Sequence, residues 1–300
     1  MGFNSNAPGN YFNKGNNALW LGHEWVGEPK TDIEIQKLVS DLQKHEIGTV
    51  FAHVGPLKSD GSIDPETYQY AINFVEKAKL YAPEISYQAW MGQIRSKIDL
   101  ADTKVRHNVA NQSLIMTWLT GFDGVHFDIE PVWDKDENFI LTLKESRELI
   151  GDKYSISVAL AEFIPRSVIW LTQKIHEFKN YNTEINYRNV AKYADQIVVM
   201  VYDTGLDETW KYEWFVKEQV IWVTDLFDDK QVFIGIPAYE EIKLGFDPLV
   251  ENVETGLRGI ISGLNNTRSD EDNLEGVAIY PYWEMSESEW DTFDKLWINE

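Results

Sequence analysis

The sequence predicts an α/β fold, a single-domain (β/α)8 TIM barrel, on three observations. Eight short apolar runs rich in β-branched and aromatic residues recur along the chain, segments with helical spacing separate them, and 300 residues is a length that one such barrel fills. Strict alternation of strand and helix calls for parallel strands joined by helical crossovers, and eight such units close naturally on themselves. An open doubly wound sheet is the competing architecture. No Gly-x-Gly-x-x-Gly follows the first run, which weakens a dinucleotide-binding version of it.

Residues 1–17, rich in Asn and Gly and without periodicity, read as a flexible leader or an expression remnant, leaving 18–300 for the barrel. The runs that predict strands are 18–25, 47–57, 84–93, 122–131, 154–162, 194–205, 232–239 and 274–285. Helical spacing falls between them at 32–46, 65–80, 102–119, 137–150, 212–227 and 250–264. About 36 residues separate Tyr239 from Gly276, room for a helix but not for an insertion domain between strands 7 and 8. In such barrels the chemistry sits where strands end, which draws attention to Glu24, His53, Gln93, Glu130, Glu162, Asp203, Tyr239 and Glu284. Ordinary solvated loops also place polar residues there, so these positions define a search area.

Hydrophobic residues make up 43% and charged residues 25%, the balance of a chain that buries a core and not of a disordered one. Lys and Arg total 27 against 49 Asp and Glu, and the formal charge of -22 repels phosphate backbones and anionic membrane surfaces. Nucleic acid is therefore not an expected partner, and a neutral or cationic substrate suits the field better; solubility alone also accounts for an acidic surface. With no cysteine, neither a disulfide nor a thiolate metal site can form, and the redox compartment is not indicated. No basic segment precedes an apolar run at the N-terminus, and no stretch approaches about 20 apolar residues. A soluble protein without membrane span is expected, either cytoplasmic or a secreted mature form, its oligomeric state open. Met1-Gly2 is not a myristoylation signal, because Asn6 stands where Ser or Thr is needed.

The decapeptide from Phe122 to Pro131 is the most informative stretch. Val125, Phe127 and Ile129 alternate onto one face, as outer helices require, while His126, Asp128 and Glu130 fall on the face that points into a barrel. Pointing charge inward is costly unless the groups are paired, hydrogen-bonded or neutralised. At a rise of about 3.3 Å per residue the Cα atoms of Asp128 and Glu130 lie roughly 6 to 7 Å apart, so their carboxyl tips can share a proton. Repulsion and burial then raise one pKa, and Glu130, nearer the mouth, is the better acid. A buried ion network that only orients loops would use the same residues. A metal is not expected: His53, His126, Asp128 and Glu130 could converge, but the chain has no His-Glu-x-x-His and no close His pair. No cofactor is indicated.

Asp123-Gly-Val-His-Phe-Asp128-Ile-Glu130 resembles the Asp-x-x-Asp-x-Asp-x-Glu signature of family 18 glycoside hydrolases, chitinase-like and endo-N-acetylglucosaminidase-like barrels, at three of its four positions. Met200-Val201-Tyr202-Asp203 resembles the family's Met-x-Tyr-Asp, and it falls on the sixth run, where the family has it. The resemblance implies a hydrolase of β-linked glycans containing N-acetylglucosamine, whether chitin-like, peptidoglycan or N-glycan core, acting with retention. It implies Glu130 as general acid and base, Asp128 orienting the sugar's acetamido group as its carbonyl oxygen attacks, and Tyr202 donating a hydrogen bond to that oxygen. Asp203 would hold a hydroxyl, and the remaining binding candidates are His126, Tyr239, Tyr280, Trp283, Trp90 and Glu24.

The chain departs from the family pattern in three places. His126 stands where an Asp is usual, residues 87–92 lack Ser-x-Gly-Gly, and the spacing after Gly276 puts Tyr280, with Trp283 beyond it, where a Trp normally underlies the cleaved sugar. Trp25, Trp90, Trp133, Tyr239 and Trp283 lie at predicted strand ends and offer rings for stacking on sugars, although most aromatic residues serve the core. Without an insertion domain the groove is expected to be shallow and open at both ends, which suits internal cleavage. The His126 substitution keeps open an alternative of another class, a barrel that binds glycans without cutting them.

Overall fold

The computed structural model describes residues 11–164, 182–227, 229–242 and 245–298. Residues 1–10 of the expected leader lie outside them. Eight parallel strands form a closed barrel: β1 (Asn17–Leu21), β2 (Ile47–Pro56), β3 (Ser86–Ile94), β4 (Gly124–Glu130), β5 (Ser155–Leu160), β6 (Gln196–Met200), β7 (Gln231–Pro237) and β8 (Leu274–Tyr280). Consecutive strands pair around the ring, and β1 closes it against β8 with Ala18 opposite Ala278.

Each predicted run yields one strand, usually shorter at its C-terminal end. The chain leaves the sheet at the barrel mouth, so Tyr202 and Asp203 lie just beyond β6, and Glu24 lies in a one-turn helix, Glu24–Gly27, after β1. A two-stranded parallel sheet, Phe163–Ile164 with Asn182–Thr183, follows β5 and had no counterpart in the sequence reading.

Among the described residues the outer layer comprises α1 (Asp32–Lys44), α2 (Ala71–Tyr81), α3 (Thr103–Leu114), α4 (Glu137–Ile150), α5 (Glu184–Val190), α6 (Thr209–Thr224), α7 (Val253–Leu264) and α8 (Glu287–Phe293). Capping chemistry fixes several starts: Thr31 and Glu34 cap α1 reciprocally, as Asn252 and Thr255 do for α7 and Ser286 and Glu289 for α8. Asp136 caps α4 by accepting from Asn138 N and Phe139 N. The segment expected as one helix over 102–119 is α3 followed by a π-turn, Ile115–Leu119.

Apolar side chains segregate into two layers, as a barrel requires. Val125, Phe127 and Ile129 on β4 belong to the main core between sheet and helices, while Ala18, Trp20, Phe51, Trp90, Val198, Phe233 and Ala278 pack together inside the ring. Gly235 on β7 lies against the Trp20 indole, where a β-carbon would stand in ordinary contact at 3.4 Å. Among the described residues no helix is long and apolar enough to cross a membrane.

Candidate active site

The inward face of β4 is divided by depth. His126 is 0% exposed, stacked on Phe51 with ring centres 3.8 Å apart. Its Nε2 accepts from Trp20 Nε1 at 3.1 Å; an indole nitrogen can only donate, so the imidazole hydrogen resides on Nδ1 and goes to Ser157 Oγ at 2.9 Å. Burial pushes its pKa down to about 3, and the ring is neutral. His126, one of the expected substrate-binding residues, thus lies buried below the mouth, with both ring nitrogens bonded to groups other than Asp128.

One turn of the alternation higher, Asp128 Oδ2 accepts from Trp90 Nε1 at 2.9 Å. Trp90 pairs in register with His126, one rung below, and reaches up past Gly92, the register partner of Asp128. A β-carbon at Gly92 would lie 3.2 Å from the indole nitrogen, so glycine gives this bond its room. Asp128 also hydrogen-bonds Glu130. Two carboxylates cannot make that bond unless one carries a proton.

Burial raises both groups, Glu130 well above the usual carboxyl range, with the charge of Asp128 adding to its shift and that of Asp203 contributing less. Glu130 is hemmed in by neighbouring groups yet exposed to solvent at the end of β4. A protonated carboxyl that water can reach is able to give its proton to a molecule bound there.

Opposite β4, Asp203 adopts a left-handed backbone conformation with φ of 59° and accepts from Tyr239 Oη at 2.5 Å. The next residue is clamped: Thr204 N and Oγ1 both donate to Glu251, at 3.1 and 2.6 Å. Glu251 is fully buried, and burial raises its pKa to about 7 against these hydrogen bonds. The Tyr202 hydroxyl is held well above its ordinary value by burial and then by the charges of Glu130 and Asp128, so it stays a hydrogen-bond donor.

Tyr202 stacks parallel to Tyr280 at 5.7 Å, and Tyr239 and Trp283 meet Tyr280 edge-on at 5.9 Å each. Tyr280 and Trp90 also meet edge-on, at 6.2 Å.

The structure thus brings together Glu130, Asp128, Tyr202, Asp203, Tyr239, Tyr280, Trp283 and Trp90. Glu24, the remaining candidate, folds back over Gly22, and its charge bears on Tyr282. Trp25, one of the candidate rings, packs on Phe74 in the outer core. Sequence reasoning missed the hydrogen bond from Trp90, the Trp20 and Ser157 partners of His126, and Glu251. Alternation on β1 and β5 was the available signal for Trp20 and Ser157; nothing local marked Glu251. Among the described residues no three His, Cys, Asp or Glu side chains gather as a metal would require.

No curated protein matches the chain in sequence. Among solved structures, the spore cortex-lytic enzyme SleL of Bacillus cereus is similar over 94% of this chain and 74% of its own, with TM-score 0.62 and 13% identity. The C-terminal domain of ChiA from Legionella pneumophila is similar over 94% and 97%, with TM-score 0.62 and 12% identity. A chitinase from Cycas revoluta, solved in complex with (GlcNAc)3, is similar over 94% and 99%, with TM-score 0.61 and 13% identity. Likeness at such low identity shows a shared barrel. The family itself is shown by sequence, since the profile of the glycosyl hydrolases family 18 matches residues 92–295, and this glycosidase chain belongs to that family.

Proposed function

We propose that the protein hydrolyses β-linked glycans containing N-acetylglucosamine with retention of configuration, Glu130 acting as acid and then as base. The observation that carries the reading is the carboxyl pair: Glu130 bonded to Asp128, raised by burial, and open to the cleft. In the first step the Glu130 proton passes to the glycosidic oxygen while the bond from that oxygen to the anomeric carbon breaks, its electron pair leaving with the departing sugar. The acetamido carbonyl oxygen of the retained sugar forms the new bond to the same carbon, so the nucleophile belongs to the substrate. Asp128 holds the acetamido N–H and offsets its growing positive charge, Tyr202 donates to the attacking oxygen, and Asp203 holds a sugar hydroxyl.

In the second step the Glu130 carboxylate takes a proton from a water whose oxygen attacks the anomeric carbon and expels the acetamido oxygen. Two inversions give net retention. Tyr280 forms the floor under the cleaved sugar, flanked by Trp90, Tyr239 and Trp283. A neutral His126, bonded elsewhere, takes no part in the proton transfer.

Glu130→Gln keeps the side-chain shape and removes the proton. Turnover of a chitooligosaccharide or peptidoglycan fragment is expected to fall about 10²-fold or more with the thermal unfolding midpoint unchanged. A variant as fast as the parent refutes the assignment. A parent that binds the oligosaccharide and releases no product would instead select a barrel that holds glycans without cutting them.

A further inference from the structure

Three residues beyond Glu130, on the loop between β4 and α4, Trp133 is half-exposed, at 50%. One face of its ring is occupied: the guanidinium carbon of Arg95 lies 4.6 Å from the ring centre. Arg95 is itself 6% exposed, with Nε bonded to Asp136 at 3.0 Å and Nη1 to the carbonyl of Ile98 at 2.8 Å. A buried cation, itself held by two hydrogen bonds, restrains the plane of the aromatic ring it backs.

The loop around it is pinned as well. Asp134 accepts from Thr183 N and Oγ1 at 2.9 and 2.6 Å, Lys135 N donates to Asn186 Oδ1 at 3.2 Å, and Asp136 caps α4. Ile94, which precedes Arg95 in sequence and is the register partner of Glu130 on β3, is 52% exposed. An apolar ring restrained on one side and half-exposed to water is costly to leave exposed and already ordered for a ligand.

We propose that Trp133, backed by Arg95, is a stacking platform for a pyranose ring of the glycan outside the position where the bond is cut. The inference rests on the reading that Glu130 works on a glycan. Three residues of extended chain reach at most about 11 Å, so the ring lies within range of a sugar adjoining the cleavage position. It stands over Arg95, at the β3 and β4 edge of the mouth, whereas Tyr202, Tyr239, Tyr280 and Trp283 follow β6, β7 and β8. A chain gripped by both groups crosses the acid.

The test measures binding of N-acetylchitohexaose and N-acetylchitobiose by titration calorimetry, each variant placed in the Glu130→Gln chain to prevent hydrolysis. Trp133→Ala is expected to weaken the hexasaccharide about tenfold and the disaccharide less than about twofold, and Trp133→Tyr to recover most of the loss. Unchanged hexasaccharide binding overturns the platform, and so does an equal loss for both sugars, which is what a merely structural role for Trp133 would give. Cleavage by the parent is read separately. A parent that cuts the hexasaccharide while binding it independently of Trp133 removes the platform and leaves the acid, and Trp133-dependent binding without cutting does the reverse.

Discussion

Glu130 at the end of β4 and Glu251 on the loop after β7 are both carboxyl groups that burial drives toward the protonated form, and their surroundings suit them to different tasks. Glu251 is enclosed, and Thr204 occupies it through both N–H and hydroxyl. Glu130 bonds to a second carboxyl and faces water. Burial alone therefore sets the direction of a shift, whereas access and the absence of fixed donors decide whether the proton can be passed on.

Removing the second carboxyl breaks the Glu130 arrangement most severely. Asp128→Asn is expected to lower turnover about 10²-fold, and the residual activity should fail at lower pH than in the parent. The sign follows from charge. Glu130 must be protonated to act, activity falls as pH rises through its elevated pKa, and deleting the neighbouring negative charge brings that pKa down. A high-pH limb that stays in place in a rate profile would show that Asp128 does not set the acid.

Glu251→Gln sharpens the other half of the comparison. In the unfolded chain this group ionises near 4.5, but in the folded protein only near 7. The stability it gives to the neutral form is present below about pH 4.5 and lost as pH rises toward 7, a cost on the order of 3 kcal/mol. Urea unfolding at pH 5 and pH 8 should show the parent losing more stability than the variant, with turnover changed by less than about tenfold. Parallel losses in the two proteins would place the ionisation elsewhere.

The smallest expected signal is spectroscopic. The His126 imidazole should remain neutral, with its hydrogen on Nδ1, from pH 7 down to about 4 in 15N chemical shifts, because its pKa lies at about 3. A midpoint near 6.5 would mean that water reaches the ring.

Much of the barrel was legible because strand and helix periods differ and alternate without interruption. The carboxyl pair was legible because a strand has two faces and β4 loads one of them with acids. Depth was not legible: alternation says that His126 points inward but not that Trp20 and Phe51 cover it, since those come from β1 and β2. The Trp90 bond to Asp128 required the β3 register, which places Gly92 beside the acid. Glu251 reaches Thr204 across 47 residues of sequence, from a loop with no periodicity to read.

The packed aromatic layer around His126 has a kinetic consequence. Trp20, Phe51 and Phe233 pack as one buried cluster inside the ring, and the imidazole stacks on Phe51 beneath the acids. On the proposed chemistry, the hydrogen ion spent by Glu130 is regained from the water of the second step, which reaches the exposed end of β4 where the sugar also binds. On that reading, the water of the second step enters where the first fragment has moved off, which ties the second half of each cycle to departure of the first product.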